Sequence, residues 1–237
     1  MSFTVEAQGC SRVYGRHRAL APVSFTLREG ESVAILGPNG AGKSTLCAIL
    51  STRLRPTSGQ VRYGEVESPS AIRGLIGLCA HDSLCYGDLT GRENLLLFTR
   101  LYHVEDAPRR ATLLLERVGL SSSAADRPSR TYSRGMLQRL ALARALVHAP
   151  RLLILDEPFT GLDRGGVELA ATLLREEQQR GAIVVTVTHD LDAIAGVSNR
   201  ALLLARGRLI HDGPAPASGG GLRDLYHAHT AQLTAAP

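Results

Sequence analysis

Short apolar runs dominate the first third of the chain. Residues 3–7 and 23–27 alternate apolar and polar positions, which predicts strands that bury one face, whereas residues 33–36 are wholly apolar. An uninterrupted apolar run is typical of a strand that is buried on both faces. The N-terminal part is therefore predicted to be an antiparallel β layer that leads into a buried strand, with further strands at 60–63 and 75–79.

Helical spacing of apolar residues appears in the middle of the chain. A helix is predicted at 45–54, and the spacing from 92 to 118 predicts a helical insert that occupies about 92–134. After this insert, predicted helices and strands alternate: helices at 135–147 and 165–179 and from Asp190, strands at 152–155, 183–186 and 201–204. Such alternation predicts an α/β fold, a mostly parallel sheet with helices on both faces.

The last part of the chain has a different composition. Residues 213–221 are rich in Gly, Pro and Ala, which predicts a flexible segment, and 222–233 has the pattern of a terminal helix. The chain is therefore predicted to consist of one large domain, residues 1–213, and a terminal segment, residues 214–237.

Composition excludes several classes of protein. With 44% hydrophobic and 21% charged residues the chain is neither disordered nor a coiled coil. No apolar run approaches the roughly 18 residues that span a bilayer, and no basic start precedes an apolar stretch, so we expect a cytoplasmic protein. The net charge of +5 would suit an anionic partner, but only 4% of residues are aromatic, and we expect no nucleic-acid partner.

A glycine-rich loop lies between the predicted strand 33–36 and the helix 45–54. This is the setting of a phosphate-binding loop, in which backbone N–H groups and a helix N-terminus surround phosphate oxygens. Lys43, the only lysine among 27 basic residues, would reach the β and γ phosphates, and Ser44 would bind Mg²⁺. The predicted nucleotide-binding residues are Gly37, Pro38, Asn39, Gly40, Ala41, Gly42, Lys43, Ser44 and Thr45.

Two carboxylates follow the apolar strand predicted at 152–155. Asp156 is placed to hold Mg²⁺, either as a direct ligand or through another ligand of the metal, because the end of this strand should lie beside the phosphate loop. Glu157 is then free to orient or deprotonate the attacking water, and we predict it to be a catalytic residue.

A serine and a glycine, Ser133 and Gly135, begin the helix predicted at 135–147. A serine hydroxyl and unpaired N–H groups at a helix N-terminus form an anion site, which suits a phosphate presented from outside. Together with the phosphate loop and the two carboxylates, this segment resembles the ATP-binding subunits of ABC transporters. The resemblance extends from about residue 3 to residue 213 and implies a P-loop NTPase fold of the ABC type.

The resemblance implies a head-to-tail dimer, here a homodimer, in which each phosphate loop faces the signature segment of the second subunit. Ser133, Arg134, Gly135 and Met136 occupy signature positions, although the family has glycine where Arg134 stands and glutamine where Met136 stands. Arg134 would either add positive charge near the nucleotide or point to solvent, and we favour solvent. Asp163 matches the loop that crosses the dimer interface.

Three further positions follow from the same resemblance. His189 matches the switch histidine, whose ring contacts the γ-phosphate and the attacking water, and we predict it to be catalytic. Tyr14 matches the aromatic residue that stacks on adenine. His81 stands where the family has a glutamine that touches Mg²⁺, so His81 either binds the metal or only transmits the conformational signal to the membrane partner.

We therefore expect an ATPase subunit that uses ATP and Mg²⁺, lies at the inner face of the cell membrane, and drives a separate membrane-spanning permease. Residues 79–95 and the signature look most like exporter subunits of cytochrome c maturation, which implies haem as cargo; a drug, lipid or polysaccharide exporter stays open. An ABC-type ATPase that acts on ribosomes or DNA is a further alternative. A small-molecule kinase would share the loop but leaves Ser133 and His189 unexplained.

Overall fold

The computed structural model describes residues 2–234, and for 231–234 it describes the backbone alone. The strands are β1 (Thr4–Tyr14), β2 (His17–Arg28), β3 (Ser32–Leu36), β4 (Ser58–Tyr63), β5 (Ile76–Cys79), β6 (Leu152–Asp156), β7 (Ile183–Val187), β8 (Arg200–Ala205) and β9 (Arg208–Pro214). The helices are α1 (Lys43–Leu50), α2 (Pro69–Gly74), α3 (Gly91–Leu101), α4 (Ala107–Arg117), α5 (Ser122–Ala125), α6 (Arg134–Ala145), α7 (Arg164–Gln179), α8 (Leu191–Ile194) and α9 (Gly219–Thr234).

The strands form two sheets. A three-stranded antiparallel sheet has the order β2-β1-β4, and a six-stranded sheet has the order β5-β6-β7-β3-β8-β9. Pairing is parallel from β5 to β8, and only the edge strand β9 runs antiparallel to its neighbour. The predicted α/β architecture, with a mostly parallel sheet and an N-terminal antiparallel layer, is confirmed.

The central strand β3 explains how the layers are held together. All five of its residues are buried, and successive side chains point to opposite faces of the sheet. Ala34 and Leu36 pack into the cluster formed with α3, α4, α6 and α7, whereas Val33 and Ile35 pack into the cluster formed with β1, β2 and α1. Apolar burial on both faces therefore fixes the sheet between a helical layer and the antiparallel sheet.

The predicted insert is not one continuous helix. α3 begins with a capping box at Thr90 and Glu93, and α4 is capped by Asp106. The chain turns between these helices at His103 and Asp106, both of which have positive φ. A short α5 and a 3-10 turn (Ser129–Thr131) complete the insert before α6 begins.

Several elements differ from the sequence-based expectation. α1 ends at Leu50 rather than at residue 54, and neither α2 nor β9 was predicted. The segment 213–221, predicted to be flexible, contains the end of β9 and the first turn of α9. Gly219 is buried where a Cβ atom would collide with the Asp192 carboxylate, so here glycine permits close packing against α8.

The C-terminal helix is attached to the main body. Leu222 is fully buried in the same cluster as α6 and α7, and Arg223 forms an ion pair of 2.9 Å with Asp192. The terminal helix predicted at 222–233 lies within α9, and residues 235–237 lie outside the described residues. Among the described residues, every helix is too short or too polar to cross a membrane.

Candidate functional site

The phosphate loop connects β3 to α1. Gly37 has φ 149° and Gly42 φ 99°, and a Cβ atom at Gly42 would lie only 2.6 Å from the carbonyl oxygen of Ala19. A Cβ at Gly37 would collide with the carbonyl oxygen of Leu204. These two positions need glycine both for their dihedral angles and for the close approach of neighbouring backbone. The loop is thereby held against β2 and β8 while 38–40 stay exposed.

The N-terminus of α1 is available to an anion. Gly42 is the residue before the helix, and no side chain caps the first N–H groups. Lys43 Nζ lies inside the loop, where it donates to the carbonyl oxygens of Gly37 (2.7 Å) and Pro38 (3.0 Å). Burial lowers the pKa of Lys43, and the carboxylates of Glu157 and Asp156 oppose this by favouring the charged form.

Asp156 and Glu157 lie at the carboxyl end of β6. β6 pairs with β7, which pairs with β3, so the strand ends bring these residues to the edge of the sheet that carries the phosphate loop. Burial raises the pKa of Asp156, and the charge of Glu157 acts in the same direction. Hydrogen bonding from Ser44 and the nearby charges of His81 and Lys43 lower it in part.

Glu157 is held in an unusual backbone conformation. Its φ is 55°, in the left-handed region that non-glycine residues rarely adopt, and its N–H donates to the carbonyl oxygen of Val187 at 2.8 Å. The Oε2 atom lies 2.9 Å from Nδ1 of His189, at the end of β7. The structure therefore brings together the two residues that the sequence analysis predicted to be catalytic.

A cavity of about 530 Å³ opens beside the two carboxylates rather than over the phosphate loop. Its wall is formed by the segment after β5, the start of α6 and the end of β6. Its lining residues include His81, Cys85, Arg134, Gln138, Asp156 and Glu157. His81 is exposed on this wall and lies close enough to Asp156 to affect its pKa.

The signature segment lies at the N-terminus of α6. The Ser133 hydroxyl accepts a hydrogen bond from the Met136 N–H at 3.2 Å. A Cβ atom at Gly135 would lie 2.7 Å from the carbonyl oxygen of Gly161, so glycine is required for the contact between the two segments. Arg134 is exposed, its aliphatic stem packs against Gly161, and it lines the first cavity beside Asp156 and Glu157.

A second cavity, of about 390 Å³, lies at the start of α6. Ser133, Gly135 and Met136 line it together with Asp163. Asp163 caps α7 by accepting from the Gly166 N–H at 2.9 Å, and this hydrogen bond is the main cause of its lowered pKa. Ser133, Gly135, Met136 and Asp163 thus share this second cavity, whereas Arg134 lines the first cavity with Asp156 and Glu157.

Sequence reasoning missed residues that hold the site in place. Arg139 forms an ion pair of 3.1 Å with Asp163 and donates to the carbonyl oxygen of Val118. Gln138 donates to the carbonyl oxygen of Pro158, which follows Glu157. Both residues lie one turn into α6, directly after the signature segment. That position is the only feature of the sequence that could have indicated their role.

Tyr14 lies at the end of β1 in the hairpin formed with β2. It is 47% exposed and pairs with His17 across the hairpin. Leu20 of β2 lies 3.4 Å from the position of a Cβ atom at Gly42, so this hairpin runs alongside the start of α1. The structure thereby places Tyr14 on the strand pair that adjoins the phosphate loop.

Known proteins resemble the chain over most of its length. Residues 20–160 match the family described as ABC transporter. The chain is 36% identical to the daunorubicin resistance ATP-binding protein DrrA3 of Streptomyces coeruleorubidus, over 98% of this chain and 76% of that protein. It is 35% identical to the Nod factor export ATP-binding protein I of Rhizobium johnstonii, over 88% of this chain and 68% of that protein.

A solved structure shares the fold. It is the dimeric structure of an ATP-binding cassette in a post-hydrolysis state, bound to ADP and Pi, with a TM-score of 0.81 and 28% identity. The match covers 89% of this chain and 98% of that one. None of the three names refers to haem, so the prediction of haem export gains no support from them.

Proposed function

The chain belongs to the ABC transporter family of ATP-binding subunits, and on that premise we propose that it hydrolyses Mg·ATP as one half of a homodimer that drives an exporter of antibiotic-like molecules. The family hydrolyses ATP to power transport, and its nucleotide-binding fold is the fold found here. One observation carries the proposal: Lys43, Asp156, Glu157 and His189 meet at one edge of the parallel sheet.

ATP would bind along the loop and the adjoining hairpin. The β and γ phosphates would displace the carbonyl contacts of Lys43, since a phosphate oxygen is a stronger acceptor for an ammonium group than a neutral carbonyl. The uncapped N–H groups of α1 would donate to the same phosphates. The exposed ring of Tyr14 offers a surface for the base.

The oxygen groups beside the loop fit Mg²⁺. Ser44 offers a hydroxyl and Asp156 a carboxylate, and the hydroxyl lies close enough to lower the pKa of Asp156. Mg²⁺ prefers oxygen ligands and is usually held by one or two protein groups together with substrate phosphates and water. The described residues contain no cluster of three or more His, Cys, Asp or Glu that would bind a metal without a nucleotide. His81 stands nearby as a further candidate ligand, and bound Mg²⁺ would neutralise phosphate charge.

Hydrolysis requires a positioned water. Glu157 would accept a proton from that water. His189, which contacts the Glu157 carboxylate, would orient this carboxylate and reach the γ-phosphate. Placing both at strand ends beside the loop keeps them within one rigid framework.

The signature would act across a dimer. Ser133 and Asp163 line a cavity to which none of the loop residues 37–45 contributes. A second copy in head-to-tail orientation would bring the N-terminus of α6 to the γ-phosphate of its partner. Arg134, whose stem rests on Gly161, would then lie at the edge of that interface.

The membrane partner would dock on the insert side. Leu84, Tyr86, Leu97 and Leu101 are large apolar residues that remain 40–65% exposed there, and Leu84 lines the first cavity together with His81. Exposed apolar side chains of this size are typical of interaction surfaces. Such docking would attach the chain to the inner face of the membrane. His81 adjoins this surface and would transmit the conformational signal to the membrane partner.

Cargo is tested in cells and ATP use in solution. The purified chain should release phosphate from ATP, and no release would contradict the proposed ATPase activity.

The chain and its membrane partner should then be expressed in an efflux-deficient host, with Glu157→Gln as control. Lower daunorubicin accumulation with the wild type alone supports drug export. Unchanged daunorubicin accumulation, together with restored cytochrome c formation in a host deficient in cytochrome c maturation, would favour the haem alternative. That alternative rests on the resemblance at residues 79–95.

A further inference from the structure

One face of the Tyr14 ring is already covered by another side chain. The guanidinium carbon of Arg12 lies 4.5 Å from the centre of the ring. The two residues are separated by one position on β1, and residues i and i+2 of a strand share a face. Tyr14 is nevertheless 47% exposed, so the part of the side chain that Arg12 does not cover is accessible to a ligand.

Arg12 is fixed in this position by the protein. Its Nη1 donates to the carbonyl oxygen of Arg55 at 3.1 Å, and its Nε is buried without a hydrogen-bond partner among the described residues. Thr57 accepts from the Val13 N–H at 3.1 Å and anchors the strand between the two side chains. The guanidinium is thus held against the ring rather than free in solvent.

We propose that Arg12 is a positioning residue, which fixes the Tyr14 ring so that the face that Arg12 does not cover stacks on the base of the bound nucleotide. This rests on the proposed function, in which Tyr14 contacts the base. The cation is attracted to the ring face, so the ring is ordered before the ligand arrives and base stacking costs less side-chain entropy. Arg12 therefore favours nucleotides that carry a base over phosphate chains that lack one.

Simple charge attraction would give a different result. A positive charge that only attracts the triphosphate strengthens binding of ATP and of inorganic tripolyphosphate alike. An effect through the ring requires both a base and Tyr14. The two ligands and the two residues together therefore separate the two explanations.

The experiment compares dissociation constants for Mg·ATP and Mg·tripolyphosphate, measured by calorimetry. The variants are Arg12→Met, Arg12→Lys, Tyr14→Ala and the double variant Arg12→Met/Tyr14→Ala. Arg16→Met is the matched control, because Arg16 is an exposed cation in the turn of the same hairpin. Since the chain has no Trp, Tyr14→Trp supplies a single fluorescent reporter that a bound base should quench.

Arg12→Met should raise the dissociation constant for ATP about two- to fivefold and leave that for tripolyphosphate unchanged. Arg12→Lys should restore part of the affinity, and Arg12→Met should have no further effect in the Tyr14→Ala background. In the Tyr14→Trp chain, Arg12→Met should weaken quenching by ATP. Arg16→Met should not discriminate between the ligands.

An equal loss for both ligands, an undiminished effect without Tyr14, or no effect would overturn the proposal. Failure of the proposed function looks different, because the wild type would then bind neither ligand or would release no phosphate from ATP. Retained binding of tripolyphosphate by Arg12→Met also shows that the variant is folded.

Discussion

Nδ1 of His189 lies 2.9 Å from Oε2 of Glu157, and the backbone N–H of His189 approaches the same oxygen at 3.4 Å. The Glu157 side chain is 22% exposed, whereas that of His189 is 82% exposed. The carboxylate is therefore held at the base of the site while the imidazole extends toward solvent. This arrangement gives Glu157 a fixed orientation before any substrate binds.

Glu157→Gln should bind ATP, lose turnover and accumulate as a dimer. The amide keeps the shape of the side chain but cannot accept a proton, so phosphate release should fall by about 10²–10⁴. Gel filtration with ATP and a phosphate-release assay measure both effects. Glu168→Gln is the matched control, since Glu168 is an exposed carboxylate on α7. A variant that stays monomeric with ATP would contradict the two-site dimer.

Lys43→Ala should lose tight ATP binding. Lys43 places its ammonium charge inside the loop, where it would meet the phosphates of ATP. Losing a charged hydrogen bond to these phosphates raises the dissociation constant for ATP at least about tenfold. Lys43→Arg should fail as well, because a planar guanidinium does not replace a compact charge between the carbonyl oxygens of Gly37 and Pro38. Calorimetry measures both variants, and wild-type affinity in either would exclude this role.

Gly135→Ala should separate the signature from the segment at Gly161. The new Cβ atom would lie 2.7 Å from the Gly161 carbonyl oxygen, and we expect the free energy of unfolding to fall by about 1–3 kcal/mol. A Cβ atom at Gly165 meets nothing within 4 Å, so Gly165→Ala should keep or raise stability by up to about 1 kcal/mol. Urea unfolding followed by circular dichroism compares them; equal stabilities would show that the contact is not restrictive.

His148 should make the fold sensitive to acid. Its ring stacks on Tyr102 with centres 3.9 Å apart, Nε2 lies 3.1 Å from the carbonyl oxygen of Ile76, and burial lowers the pKa of His148 to about 4. Burial is the main cause of this lowered pKa; the charges of Arg110, Arg144 and Arg180 act in the same direction, and the Ile76 contact opposes them.

The direction of the effect follows from these pKa values. Because an unfolded histidine titrates near 6.5, the unfolded chain binds the proton first as the pH falls, and stability present above about pH 6.5 is lost toward pH 4. The loss at pH 5 should be at most about 2 kcal/mol. His148→Gln cannot titrate, so its urea midpoint should fall less between pH 7.5 and pH 5. Parallel decreases in the two proteins would contradict this prediction.

The sequence predicted the elements whose signals are local. The run 33–36, the glycine loop and the carboxylates after 155 each combine a spacing with a residue type. The structure places the run in β3, the loop between β3 and α1, and the carboxylates at the carboxyl end of β6. The alternation of predicted helices and strands after residue 134 predicted the parallel sheet, because strands that are joined by helices pair in parallel.

Tertiary contacts decided the rest. The sequence around Gly219 predicts a flexible segment, but Gly219 packs against Asp192. The sequence does not show which neighbour occupies the space that a Cβ atom would fill. The pairing of Arg139 with Asp163 follows no spacing rule, and the Arg55 carbonyl oxygen that accepts from Arg12 lies 43 residues along the chain. Long cationic side chains reach partners in distant segments, and which partner each one meets is set by how the strands and helices are packed.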